Sequence, residues 1–182
     1  MADLPPIATS APSDKKLFCF GFGYTASFLA EKMTACGWRI AGTTTNADKR
    51  LFLKENGIDA WLFDRRHSLP DPQRLLEDVT HILLSVPPDA EGDPVFAVHG
   101  QDMLQVFHAH HSGLKNLEWV GYLSTTGVYG NQGGTWVDEM TPASPDSKRG
   151  SQRLKAERQW QSLYGGEGLP LHIFRLAGIY GP

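Results

Sequence analysis

Gly21-Phe22-Gly23-Tyr24-Thr25-Ala26 is the stretch whose residue types and spacing point most directly to chemistry. It has the form G-x-G-x-x-A, follows the apolar run Leu17-Phe18-Cys19-Phe20 and opens a segment with helical spacing. In that context Gly21 would permit a tight turn, Gly23 would let backbone N–H groups approach a pyrophosphate, and Ala26 would let a helix pack closely on a sheet. The helix start at Tyr24 and Thr25 would favour negative charge through its unpaired N–H groups and its dipole. A plain glycine turn is the competing reading, and the place of the motif on the first strand of an alternating chain favours a nucleotide instead.

A dinucleotide site commonly places Asp or Glu about 20 residues further on, where it bonds a ribose 2′-hydroxyl. Here that place reads Gly42-Thr43-Thr44-Thr45-Asn46, with Lys49 and Arg50 close behind. Thr44, Asn46 and Arg50 are therefore candidate cofactor contacts, and the lack of a carboxylate admits NAD or NADP and leans to NADP. A solvated helix turn would explain Lys49 and Arg50 equally well. Asp64 would face an adenine or merely begin a loop. His99, His108, His110 and His111 surround one helical segment, but no third ligand stands at recognisable spacing and H-E-x-x-H is absent. An exposed helix end, and no metal, is the expectation. The nucleophile elbow G-x-S-x-G and the phosphate loop G-x-x-x-x-G-K-[ST] are absent as well.

These residues need elements to hold them. The periodicity predicts strands at 17–20, 38–43, 58–63, 81–86, 119–124 and 172–177, separated by helices over 25–36, from Asn46 or Asp48 to Asn56, from Asp71-Pro72 through Val79, from Asp93-Pro94 past Phe107, and over 154–163. Gly37 and Gly57 stand where helices should stop. Strand and helix alternating in this way predict an α/β fold, a doubly wound parallel sheet of Rossmann type with helices on both faces. Residues 1–14, rich in Pro, Ser and Ala, read as a frayed tail, and 15–182 as one nucleotide-binding domain.

At Leu123-Ser124-Thr125-Thr126-Gly127-Val128-Tyr129-Gly130 the chain resembles the extended short-chain dehydrogenase/reductases, the NAD(P)-dependent epimerase/dehydratase group. The glycine turn, the loop Val137-Asp138-Glu139-Met140-Thr141-Pro142 and the run Arg175-Leu176-Ala177-Gly178-Ile179-Tyr180-Gly181-Pro182 agree with it. The resemblance implies that Thr125 bonds the substrate carbonyl or hydroxyl, that Ser85, Val86 and Pro87 line the nicotinamide ribose, and that Ile179 and Tyr180 approach the nicotinamide. It implies pairing through residues 93–111 and 149–164, and a substrate lobe that would follow Pro182. One departure is sharp. The family's Tyr-x-x-x-Lys pair falls on Arg149 and Arg153, and a guanidinium that stays protonated is no general base, although it binds phosphate or carboxylate well. Ser151 and Lys155 would serve only in a shifted register. Tyr129, Asp138 and Glu139 are substitutes for the missing acid or base.

Composition bounds the rest. The 182 residues, 41% hydrophobic and 20% charged, suffice for one core, and 17 Lys and Arg against 20 Asp and Glu leave a formal charge of −3. That balance argues against nucleic acid as a partner. No apolar run of spanning length and no signal peptide are evident, and two cysteines in apolar segments, Cys19 and Cys36, read as small buried thiols in a reducing cytoplasm. The sequence thus predicts an NAD(P)-dependent oxidoreductase or epimerase-like enzyme for a small polar substrate, nucleotide-linked or free. The alternative is a non-catalytic dinucleotide sensor or scaffold, which the loss of the Tyr–Lys pair favours.

Overall fold

Leu17 and Cys19 point to one side of the first strand and Phe18 and Phe20 to the other, and all four are buried, so this strand must have a packed layer on each face. The computed structural model, which describes residues 13–110 and 117–181, supplies those layers. Strands β1 Lys16–Phe20, β2 Arg39–Thr44, β3 Asp59–Leu62, β4 His81–Leu84, β5 Trp119–Thr125 and β6 Leu171–Leu176 alternate with helices α1 Tyr24–Ala35, α2 Ala47–Glu55, α3 Pro72–Leu76, α4 Pro94–His110 and α5 Lys148–Glu167. The sheet runs β3-β2-β1-β4-β5-β6 with every pairing parallel. The expected doubly wound α/β fold is therefore observed.

Two cores follow from the two faces. Leu17, Cys19, Ile40 and Leu83 pack with Ala26 and Ala30 of α1 and Leu53 of α2. Phe18, Phe20, Ile82, Leu84, Val120 and Tyr122 pack with Leu76 of α3, Met103 and Phe107 of α4, and Trp160 of α5. The chain reverses its winding between β1 and β4, which opens a crevice beyond their carboxyl ends.

Several expectations need correction. Helix α5 starts at Lys148, six residues before the predicted Leu154, because the Ser147 hydroxyl accepts from Gly150 N at 3.0 Å and caps a first turn that carries no apolar periodicity. It runs past Leu163 to Gly168, whose φ of 76° ends it in the left-handed conformation. Helix α3 stops at Leu76 rather than Val79, and β4 at Leu84 rather than Val86. Cys36 is exposed, since it is the C-cap residue just past the last turn of α1, while Cys19 is buried as expected. Burial pushes the Cys19 thiol up to about 12. His99 belongs to no exposed helix end. It is 1% exposed, with Nε2 accepting from Leu69 N at 3.1 Å and Nδ1 2.7 Å from Asp102. Of the expected frayed tail, Ser13 donates its N–H to Gly37 O at 3.1 Å, and residues 1–12 lie outside the described ones. His111 lies outside them too.

Candidate functional site

The glycine turn is built as its spacing demands. Gly21 has φ 84°, in the left-handed region, and its N–H donates to Thr43 Oγ1 at 2.9 Å. Phe22 N donates to Thr43 O at 2.7 Å, so the buried Thr43 ties the turn to β2. Ser85 donates to the carbonyls of Phe20 and Gly21 and closes the turn from the β4 side. Gly23 is the N-cap of α1 and offers no side-chain oxygen, the first turn of α1 contains no acidic residue, and a Cβ built on Gly23 would meet nothing within 4 Å. The N-terminus of α1 thus carries no side-chain cap and no acidic side chain in its first turn against its dipole.

At the end of β5 the polar side chains divide their roles. Thr125 is half-buried and its Oγ1 accepts from Gly127 N at 3.1 Å, capping the short 3-10 turn Thr126–Val128. Among the described residues its hydroxyl proton meets no acceptor. Ser124 donates to Glu157, which is fully buried on α5 and takes two nitrogens of Arg175, with Nη2 at 2.8 Å. Hydrogen bonding to Glu157 raises the Arg175 pKa beyond its already high value. Arg175 also stacks 4.8 Å from the Tyr129 ring centre, and the Tyr129 hydroxyl donates to Asp138 O at 2.8 Å. Neither Ser124, Glu157 nor Arg175 was singled out for this network from the sequence.

Arg153 extends from α5 beneath the end of β5. Its Nη1 donates to Leu123 O at 2.8 Å and to the Tyr122 hydroxyl at 3.3 Å, with the Tyr122 ring centre 5.7 Å away. Burial pushes the Tyr122 phenol up. Arg149 stands one helical turn earlier and is exposed.

One cavity of about 480 Å³ collects much of this. Gly23, Tyr24, Thr25, Ser85, Arg153 and Ile179 line it, together with Ser124 and Tyr180. Gly21, Val86 and Pro87 adjoin it in sequence without lining it, and Thr125 and Arg149 stand outside its lining. Thr44, Asn46 and Arg50 gather separately after β2. Thr44 Oγ1 accepts from Asn46 N at 3.2 Å, Asn46 caps α2 by accepting from Lys49 N at 2.8 Å, and Arg50 buries an Nε with no acceptor among the described residues. Asp64 begins a loop, accepting from Arg66 N at 2.7 Å and His67 N at 2.9 Å. The hydrogen bond with the His67 side chain, first among several, holds its carboxyl below the usual range. Of the suggested acid–base substitutes, Asp138 caps its own loop by accepting from Met140 N and Thr141 N, and none lines the cavity. Among the described residues no three metal-ligating side chains come together, and His108 lies 3.1 Å from Glu167.

Structural comparison places this crevice in context. UDP-glucuronic acid 4-epimerase from Bacillus cereus, solved in complex with NAD, superposes with a TM-score of 0.67 at 20% identity over 92% of this chain and 58% of that one. The chain has the epimerase/dehydratase fold. A functionally unknown conserved protein from Silicibacter pomeroyi DSS superposes with a TM-score of 0.76 at 42% identity over 92% of this chain and 54% of that one. Among curated proteins, Protein YeeZ of Escherichia coli strain K12 is 29% identical over 173 residues, which cover 92% of this chain and 60% of YeeZ. The chain thus spans somewhat more than half the length of these relatives. No family model matches it. Among the described residues no helix is long and apolar enough to cross a membrane.

Proposed function

We propose that this chain is the dinucleotide-binding part of an NAD(P)-dependent oxidoreductase or epimerase-like enzyme acting on a small polar, nucleotide-linked substrate. The uncapped N-terminus of α1, opening into a cavity walled on its far side by Ser85, Arg153 and Ile179, is the observation that carries the reading. The leading N–H groups of α1 would take the pyrophosphate, and the Ser85 oxygen would accept from the adjoining ribose. Ile179 would cover the nicotinamide and exclude water. A bound nicotinamide supplies hydride transfer. Thr125 would donate its free hydroxyl proton to a substrate oxygen. Near β2, Thr44 and Asn46 present no carboxylate and Arg50 supplies a cation, which keeps NADP open beside NAD. Pairing of two copies would run through α4 and α5.

The non-catalytic reading, a redox-state sensor or scaffold, is favoured by one observation: the place of the general base holds Arg149, outside the cavity. Calorimetric titration of NAD, NADH, NADP and NADPH into the wild type and Gly23→Asp tests the shared part. The introduced carboxylate should abolish binding, and a wild type that binds none of the four refutes both readings. Turnover of the nicotinamide chromophore with a panel of nucleotide-linked sugars and small polar alcohols then separates enzyme from sensor.

A further inference from the structure

A guanidinium has five N–H donors, and only those on Nη1 of Arg153 are engaged, by Leu123 O and the Tyr122 hydroxyl. Its Nε and Nη2 meet no acceptor among the described residues, although the side chain is half-buried and lines the cavity. Arg149, four residues earlier on α5, shares its helix face at a Cβ separation of about 5–6 Å and is also without an acceptor among the described residues. We infer that Arg153 in the cavity wall, with the exposed Arg149 one helical turn away outside the lining, forms the seat for an anionic group of the substrate, a carboxylate or phosphate. This rests on the dinucleotide reading for where the cofactor lies.

Among the described residues no carboxylate makes a hydrogen bond or ion pair with either guanidinium, although Asp93 lies near enough to Arg153 for their charges to interact. Among the described residues none that lines the cavity is Asp or Glu. Glu157 is engaged by Arg175 and Ser124, and Asp93 Oδ1 already accepts from Val95 N and Phe96 N. Burial raises the Asp93 carboxyl pKa, which weakens any charge it could offer. The opposite wall, the α1 N-terminus, is positive too. Because β1 and β5 are separated by β4, the glycine turn and the Leu123 carbonyl that braces Arg153 stand about two strand spacings, roughly 10 Å, apart. A pyrophosphate on α1 therefore leaves Arg153 to another group. A neutral hydroxyl would leave a permanent charge without a counter-charge, whereas a carboxylate or phosphate accepts two parallel N–H bonds. The guanidinium cannot exchange a proton, so its role is to fix substrate orientation.

The test is a fluorescence titration of NADH into the full chain, followed by L-malate or inorganic phosphate into the binary complex at constant ionic strength, with the diamide of malate as neutral control. Each anion should bind more tightly than the diamide. Arg153→Gln and Arg149→Ala should each weaken anion binding about 10- to 100-fold, as expected for lost charge-assisted hydrogen bonds, and at least tenfold more than they weaken NADH. Arg153→Lys should recover part of the loss. Arg149 is exposed, so its replacement does not threaten the fold. Equal losses in the anion and NADH arms would assign the guanidiniums to the cofactor and overturn the inference, as would anions that bind no better than the diamide. Should NADH fail to bind while the anions still bind through the two arginines, the dinucleotide reading falls and the anion seat stands.

Discussion

Helices α1 and α5 both border the candidate cavity, and their beginnings are finished in opposite ways. Ser147 closes the N-terminus of α5 with its hydroxyl, as Asn46 does for α2 and the Asp71 and Asp93 carboxylates do for α3 and α4. Helix α1 starts at Gly23 with no side-chain oxygen, and nothing in its first turn replaces one. Side chains cap the other helices and not this one, which is the arrangement that the proposed pyrophosphate site on α1 calls for. The cavity wall from α5 works differently: its donor is the Arg153 side chain, held by the Leu123 carbonyl and the Tyr122 hydroxyl.

The sharpest way to break this contrast is Glu157→Ala. It removes the buried partner of Arg175 and Ser124 beneath the α5 side and leaves the glycine turn alone. Urea denaturation should show a loss of about 3 kcal/mol, from an ion uncompensated where its partner was buried. Next in size, Gly21→Ala strikes the α1 side only. A Cβ there must adopt φ 84° and come within 3.1 Å of Ser85 Oγ and Val86 N, so stability should fall by about 1–3 kcal/mol, with dinucleotide affinity falling in parallel calorimetry. Ser147→Ala should cost about 1 kcal/mol by the loss of a cap, measured by thermal melting, and should leave the α1 end untouched.

Asp93 gives the smallest effect and one that changes with pH. Its carboxyl is raised in the folded state by burial, against hydrogen bonds that lower it, so ionisation costs stability above the unfolded value of 3.8. Asn can keep the cap while removing the charge. Asp93→Asn should therefore stabilise the protein at neutral pH, and the gain should shrink on acidification until both forms are uncharged. Denaturation midpoints across that range check the sign.

The two walls also differ in how far they could be read beforehand. The glycine turn was legible because backbone recognition demands glycine at fixed positions, and fixed positions are visible in one dimension. The parallel order followed from apolar runs alternating with helical spacing. Helix α5 is longer than its apolar spacing predicts because its first turns are polar, and because Gly150, an unfavourable helical residue, is explained by Gly127 O and Pro145 Cβ lying 2.6 and 2.9 Å from where its Cβ would stand. The Ser124–Glu157–Arg175 network joins residues 33 and 18 positions apart, which no local pattern reveals. His99 was misjudged for the same reason, since its acceptor role is toward Leu69, 30 residues away.

The two thiols give the molecule a built-in gauge. Cys36 is open to solvent, while Cys19 lies in β1 opposite Gly42 of β2, directly under the turn that would hold a pyrophosphate. An alkylating reagent should consume one equivalent at once and the second only as fast as the centre of the sheet comes apart. That second rate, followed by mass spectrometry, would report how firmly any bound molecule locks β1 between its neighbours, with no label, no added chromophore and no assay for catalysis.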